Sequence, residues 1–182
     1  MSEPFRVLCA DPPWPFRDRL PGSHRGAARH YGLLSVRDIC RHPLPQLADD
    51  CVLFLWRVAA MQQEALDVVW AWDFELKSEV VWLKKTANGN RWFGMGRTVR
   101  AEHETCLIAT RGRPQTKSHS VRSTFVTDFD GLSATVGRHS EKPEQFYAVV
   151  ESLFGGPYCE LFARRSRNGW TCLGDEVKVS CV

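Results

Sequence analysis

Asp11-Pro12-Pro13-Trp14 is the stretch of this chain best equipped for chemistry, and it directly follows the short apolar run of residues 5–10. The two prolines have fixed φ and no N–H to give, so their carbonyls are free to accept hydrogen bonds and stay out of any helix. Asp11 adds an ionised acceptor, and Trp14 adds a flat apolar face. Together they suit the exocyclic amine of a planar base: the acceptors take the amine protons while the aromatic ring lines the base. Read alone, the same residues are also a strand that ends in a tight Pro-Pro turn.

Two further stretches carry charge where ligands bind. Lys142, in His139-Ser140-Glu141-Lys142-Pro143, stands at the start of an amphipathic stretch, beside the free N–H groups and positive end of a helix. That is a natural receptor for a carboxylate; the plainer alternative is a helix start with Ser140 as cap and Pro143 in the first turn. Glu160 to Arg164, then Asn168-Gly169-Trp170, then Gly174-Asp175-Glu176 form a polar C-terminal segment able to bind ribose hydroxyls or simply to turn. Other motifs fail. His103-Glu104 is followed by Leu107 where a zincin helix needs its second histidine. Gly94-Met95-Gly96 has Val99 where a dinucleotide fingerprint needs glycine.

Charge is unevenly spread. Residues 84–122 hold nine Lys/Arg against two acids, and residues 15–42 hold six Arg against two Asp, whereas the rest of the chain carries nine bases and seventeen acids. An acidic body with two basic segments is the footprint of a phosphate-tracking surface. Arg supplies eighteen of the twenty-four bases, and Arg is the better bidentate phosphate ligand. Trp92 and Phe93 sit in one basic segment and can stack on bases, flanked by Arg97 and Arg100.

At 182 residues and 43% hydrophobic, the chain is expected to form one domain with a sizeable core. Its apolar runs are too short to cross a bilayer, and the entry into a first strand near Pro4 gives no sign of a signal peptide. Seven cysteines, odd in number and never spaced C-x-x-C, fit a reduced cytoplasmic protein without structural zinc.

The positioning elements follow from periodicity. Strands are expected at residues 5–10, 51–57, 79–83, 105–110, 121–127 and 158–163. Ser35 with Asp38 caps a short helix that Pro43 stops. Met61, Ala65, Val68, Val69 and Trp72 mark a helix over about residues 59–72, and Phe146, Val149, Val150 and Leu153 mark another that Pro143 opens. Trp56, Trp70, Trp72 and Trp82 are assigned to the core. Strands alternating with helices imply a mostly parallel α/β sheet covered on both faces, with ligands beyond the carboxyl ends of the strands. The segments at about 15–34 and 84–104 are expected to be mobile basic loops.

In order, ADPPW after a strand, HYGLLS, EHETCLIATRGRP, HSEKPEQFY, ELFARRSRNGW and GDE resemble the MT-A70 family of S-adenosyl-L-methionine-dependent adenine-N(6) methyltransferases, from about residue 5 to 177. The likeness is greatest to the short prokaryotic and phage members. It implies a single-domain, circularly permuted Rossmann-like methyltransferase fold, S-adenosyl-L-methionine as cofactor, and nucleic acid, DNA in preference to RNA, as substrate. It implies that Asp11 and the Pro12 carbonyl accept from the adenine amine, with Pro13 in the same turn and Trp14 lining the base pocket. Tyr31 matches an aromatic of the first active-site loop. Lys142 matches the lysine that meets the cofactor's carboxylate, and Arg164, Asn168, Asp175 and Glu176 fall in the segment that holds its ribose and nearby groups. Asp175 departs from the family's usual Asn. RNA methylation, cytosine-amine methylation and a non-catalytic nucleic-acid-binding subunit stay open, as do a homodimer and a partner subunit.

Overall fold

The computed structural model describes residues 3–16, 32–86, 88–94, 96, 98–129, 142–175 and 177. Among these residues seven strands form one sheet: β1 (Phe5–Ala10), β2 (Leu47–Arg57), β3 (Glu75–Thr86), β4 (His103–Arg111), β5 (Thr124–Phe129), β6 (Tyr158–Leu161) and β7 (Trp170–Leu173), in the spatial order β5-β3-β4-β2-β1-β6-β7. Neighbours run parallel except on the two sides of β4, which is antiparallel to both β2 and β3. β1 lies between β2 and β6, with Ala10 level with Leu55 and Leu161. Asp11 therefore leaves the sheet beside the carboxyl ends of two parallel neighbours. This is a mixed α/β sheet of the Rossmann-like kind that the resemblance implies.

Among the described residues three helices cover it: α1 (Val36–Cys40), α2 (Gln62–Ala71) and α3 (Glu144–Leu153). Ser35 caps α1 by accepting the Asp38 N–H at 3.1 Å. Strand alternation sorts the core into two halves. Leu8, Ala10, Leu53, Leu55 and Leu161 pack with Ile39 of α1 and with Ala65, Val68 and Val69 of α2. Val7, Cys9, Val52, Phe54, Trp56, Val80 and Trp82 pack on the other face against Phe146, Tyr147 and Val150 of α3.

Several expectations are corrected. The helix expected over 59–72 begins as a single 3-10 turn, Ala59–Met61, before α2. Trp70, assigned to the core, is 60% exposed, because it falls on the outer face of α2 while Trp72, past the helix end, turns inward. The strand β7 has no counterpart in the sequence reading: four residues with little alternation give no periodic signal, and it forms by pairing with β6. Residues 84–104 are not a loop throughout. β3 runs on to Thr86 and β4 begins at His103, so the basic arm is confined to the residues between them. It folds back on itself: Gly94 donates to the Ala101 carbonyl at 3.0 Å, and a Cβ on Gly94 would lie 2.2 Å from that oxygen. Of the expected loop at 15–34, residues 17–31 lie outside the described residues.

Candidate active site

Alternation along the strands places one row of polar side chains on the α3 face, at the edge where the parallel strands end. Glu160 of β6 shares its face with Cys9, and Asp11, two residues after Cys9, follows on the same side. Glu104 lies two residues before the buried Cys106 on β4, and Lys84 two residues after Trp82 on β3. Because β4 runs backwards, its amino end is what meets this edge. A hydrophobic face that would otherwise simply end is thus capped by a charged border, and Lys142, just ahead of α3, drops into its middle.

Lys142 is almost wholly buried, its side chain 5% exposed. Its Nζ lies 2.9 Å from Asp11 Oδ2 and 3.1 Å from Glu104 Oε2, with the Trp56 ring centroid 4.8 Å away. Lys84 takes the other oxygen of Glu104. The result is a charge chain, Asp11–Lys142–Glu104–Lys84, that sums to zero. Burial alone would drive Lys142 neutral, but Asp11 and Glu104 outweigh it and hold its pKa above the usual lysine range. Burial would likewise raise the Glu104 carboxyl, yet Lys142 and Lys84 pull it down to about 2.

A stability prediction follows with a definite sign. Glu104 titrates lower in the folded protein than its ordinary 4.5, so its contribution is full above about pH 4.5 and is lost as pH falls through about 2. Urea denaturation across that window should show a loss on the order of 2 kcal/mol that Glu104→Gln removes. Glu160 works the other way, since burial raises its carboxyl despite a 2.6 Å hydrogen bond from the Tyr147 hydroxyl and the nearby Arg167 charge.

The DPPW turn is tighter than its sequence implies. The Pro12 carbonyl, expected to be free, already accepts the Trp14 N–H at 2.8 Å, leaving one lone pair, and the Pro13 carbonyl accepts from Leu34 N–H at 3.0 Å. Trp14 is 6% exposed and packs in the core half that holds α1 and α2, its indole N–H donating to the Trp56 carbonyl at 2.9 Å. The ring therefore braces the notch from behind and is not an open stacking face. Trp14→Phe loses that bond and leaves part of the space the indole fills empty, so by urea denaturation it should cost more than the roughly 1 kcal/mol of the hydrogen bond alone.

The remaining expected residues divide. Arg164 joins Asp11, Lys142, Tyr147, Glu160, Phe162 and Arg165 around a small cavity of about 20 Å³. Asn168 lines a separate open cleft of about 530 Å³ that shares Tyr147 and Arg165 with it. Within that cleft Arg165 and Arg167 both pair with Glu144, and the Arg167 guanidinium lies 3.3 Å over the Tyr147 ring. Asp175 is exposed and lines neither space. Its charge is felt by His42, whose pKa burial nevertheless lowers. Trp92 is half-buried, its N–H on the Lys84 carbonyl at 3.1 Å, and Arg100 lies over the exposed Phe93 ring at 4.9 Å. Tyr31, Arg97 and Glu176 lie outside the described residues.

The MT-A70 family matches residues 5–176. The chain belongs to the MT-A70 family. It is 29% identical to the human N(6)-adenosine-methyltransferase catalytic subunit METTL3, over 95% of this chain and 28% of that protein. It is 27% identical to the type II methyltransferase M.MunI of a Mycoplasma species, over 95% of this chain and 78% of that one. Human N(6)-adenine-specific methyltransferase METTL4 is 29% identical, with 95% and 37% covered. The chain thus spans little more than a quarter of the METTL3 length.

MT-A70 methyltransferases use S-adenosyl-L-methionine, and the donor set here fits its charged end. An ammonium–carboxylate pair needs an anion and a cation side by side, which Asp11 and Lys142 supply, with Arg164 on the same cavity. The cavity itself has room for about one water, so a bound cofactor requires its polar lining to part. The adjoining cleft is of ligand size.

Glu104 and Lys84 had no assigned role in the sequence reading. Glu104 was visible in EHETCLIATRGRP, but only the reversed direction of β4 and its register with β3 bring it to Lys142.

Proposed function

We propose that the chain is a single methyltransferase domain that moves the methyl group of S-adenosyl-L-methionine to the N(6) amine of adenine in DNA. The observation that carries this reading is Asp11 held by Lys142, through Oδ2 alone among the described residues, at the carboxyl end of β1. That arrangement leaves Oδ1 for an incoming donor. The adenine amine is a poor nucleophile because its lone pair is delocalised into the ring. Asp11 Oδ1 and the remaining lone pair of the Pro12 carbonyl accept its two protons, which favours a pyramidal nitrogen with a directed lone pair. The bound cofactor supplies an electrophilic methyl carbon on a sulfonium. Asp11 then holds the proton that the amine gives up. Lys142 and Arg164 anchor the cofactor's carboxylate, and Asn168, Asp175 and Glu176 serve its ribose end. Most of the acceleration comes from positioning and fixed charges.

The target amine is out of reach in a stacked duplex, so the base is taken extrahelical or met unpaired. Trp92, Arg97 and Arg100 of the arm, with Tyr31, hold the strand and the base. DNA is preferred over RNA on the resemblance to the short prokaryotic and phage members, while the relatives include both a type II methyltransferase and an adenosine methyltransferase subunit.

The test is purified protein, methyl-labelled cofactor and matched DNA and RNA oligonucleotides with and without adenine. Label in N(6)-methyladenine from DNA is expected. Label confined to RNA would reassign the substrate, and label on cytosine would reassign the base. Cofactor binding with no transfer to any oligonucleotide would make the chain a non-catalytic binding subunit.

A further inference from the structure

Lys84 has its side chain in the charged border and its backbone, near the end of β3, bonded to the arm. Its Nζ pairs with Glu104 and lies 4.6 Å over the Trp82 ring. Its N–H donates to the Glu102 carbonyl at 2.9 Å, and its own carbonyl accepts from Trp92 N–H at 3.1 Å. It is therefore the residue at which the basic arm between β3 and β4 is fastened to the charge chain.

We propose that Lys84 is a positioning residue for methyl transfer, acting through Glu104 to hold Lys142 and Asp11 in register with the nucleic-acid-binding arm. The proposal rests on the transferase reading above. Glu104 gives Oε1 to Lys84 and Oε2 to Lys142. Without Lys84 the carboxylate is free to turn both oxygens towards Lys142. That draws the Lys142 ammonium away from Asp11, the group that meets the amine. A displacement well under an ångström is enough to matter when the reacting atoms must be aligned.

Two simpler roles predict different behaviour. A phosphate contact needs an accessible ammonium, but the Lys84 side chain is 17% exposed and its head is turned to a carboxylate. A purely architectural role belongs to its backbone, which any β3 residue at this position retains.

The experiment compares Lys84→Gln, Lys84→Arg, Glu104→Gln and the double variant Lys84→Gln/Glu104→Gln. For Lys84→Gln, kcat should fall about 30-fold, with oligonucleotide affinity and its salt dependence unchanged. Lys84→Arg should recover most of the loss. The double variant should be no slower than Glu104→Gln alone, since both changes break one chain.

A second readout needs neither cofactor nor substrate. In carboxyl carbon NMR of the free protein, the Glu104 titration should move up by about one unit in Lys84→Gln. The charged groups against Glu104 are Lys84 from β3 and Lys142 ahead of α3, while Asp11 beyond β1 and the buried Cys106 thiol of β4 both interact with Lys142. An unmoved Glu104 titration overturns the proposal, as does an unchanged kcat or a loss confined to oligonucleotide affinity. A shifted titration in a protein whose wild type methylates no oligonucleotide sinks the transferase reading, and the positioning role with it.

Discussion

Asp11→Ala should leave a folded protein that binds oligonucleotides and transfers methyl groups 10²–10³-fold more slowly, an approximate range set by losing one fixed electrostatic partner of the reacting atoms. The fold should survive because the residue lies beyond the last ladder pair of β1, where Ala10 is already matched with Leu55 and Leu161. Its removal does not orphan Lys142, which keeps Glu104 at 3.1 Å. Asp11→Asn is the sharper variant. It preserves shape but presents an amide whose NH₂ group donates where the amine needs an acceptor, and whose oxygen is a weaker partner for Lys142. It should be nearly as slow. Single-turnover kinetics with both ligands saturating is the measurement, and wild-type rates in either variant would remove Asp11 from the chemistry.

Lys142→Met should be the most damaging single change to stability and the most damaging to cofactor binding. The substitution keeps the volume but takes away the cation between two carboxylates. Asp11 then faces Glu104 across the gap, with only Lys84 left to compensate. Breaking a buried ion pair from one side typically costs about 3–5 kcal/mol, because the surviving charge is left desolvated. Thermal unfolding at pH 7 should shift down accordingly. Loss of the carboxylate receptor should weaken cofactor binding at least tenfold by calorimetry at a temperature where the variant remains folded. Unchanged cofactor affinity in a folded variant would leave Lys142 a structural residue only.

What could be read ahead of the structure depended on range. Asp11 was legible because a strand ending in acid and two prolines is a local signal, and Lys142 because a proline-opened helix start is another. That β1 and β6 are neighbours is a long-range fact, carried by the ladder between Cys9 and Glu160. Glu104 was not legible: its value lies in opposing Lys142, more than thirty residues away, and in the reversed run of β4. The Pro12 carbonyl was misjudged for a related reason, since the missing N–H of proline says nothing about whether Trp14, two residues on, will turn back to it. Trp70 shows the limit of composition: a large aromatic is placed by the helix face it falls on, whatever its hydrophobicity.

The reversed strand β4 has an evolutionary corollary. Since β4 retraces the path of β3, the crossover between them opens and closes at the same rim, and both of its feet are clamped by ladder bonds. Lengthening such a crossover adds only about 0.6 kcal/mol for each doubling of its span. A lineage can therefore exchange or enlarge this one module, and with it the sequence context it prefers, while the machinery beneath is inherited unaltered.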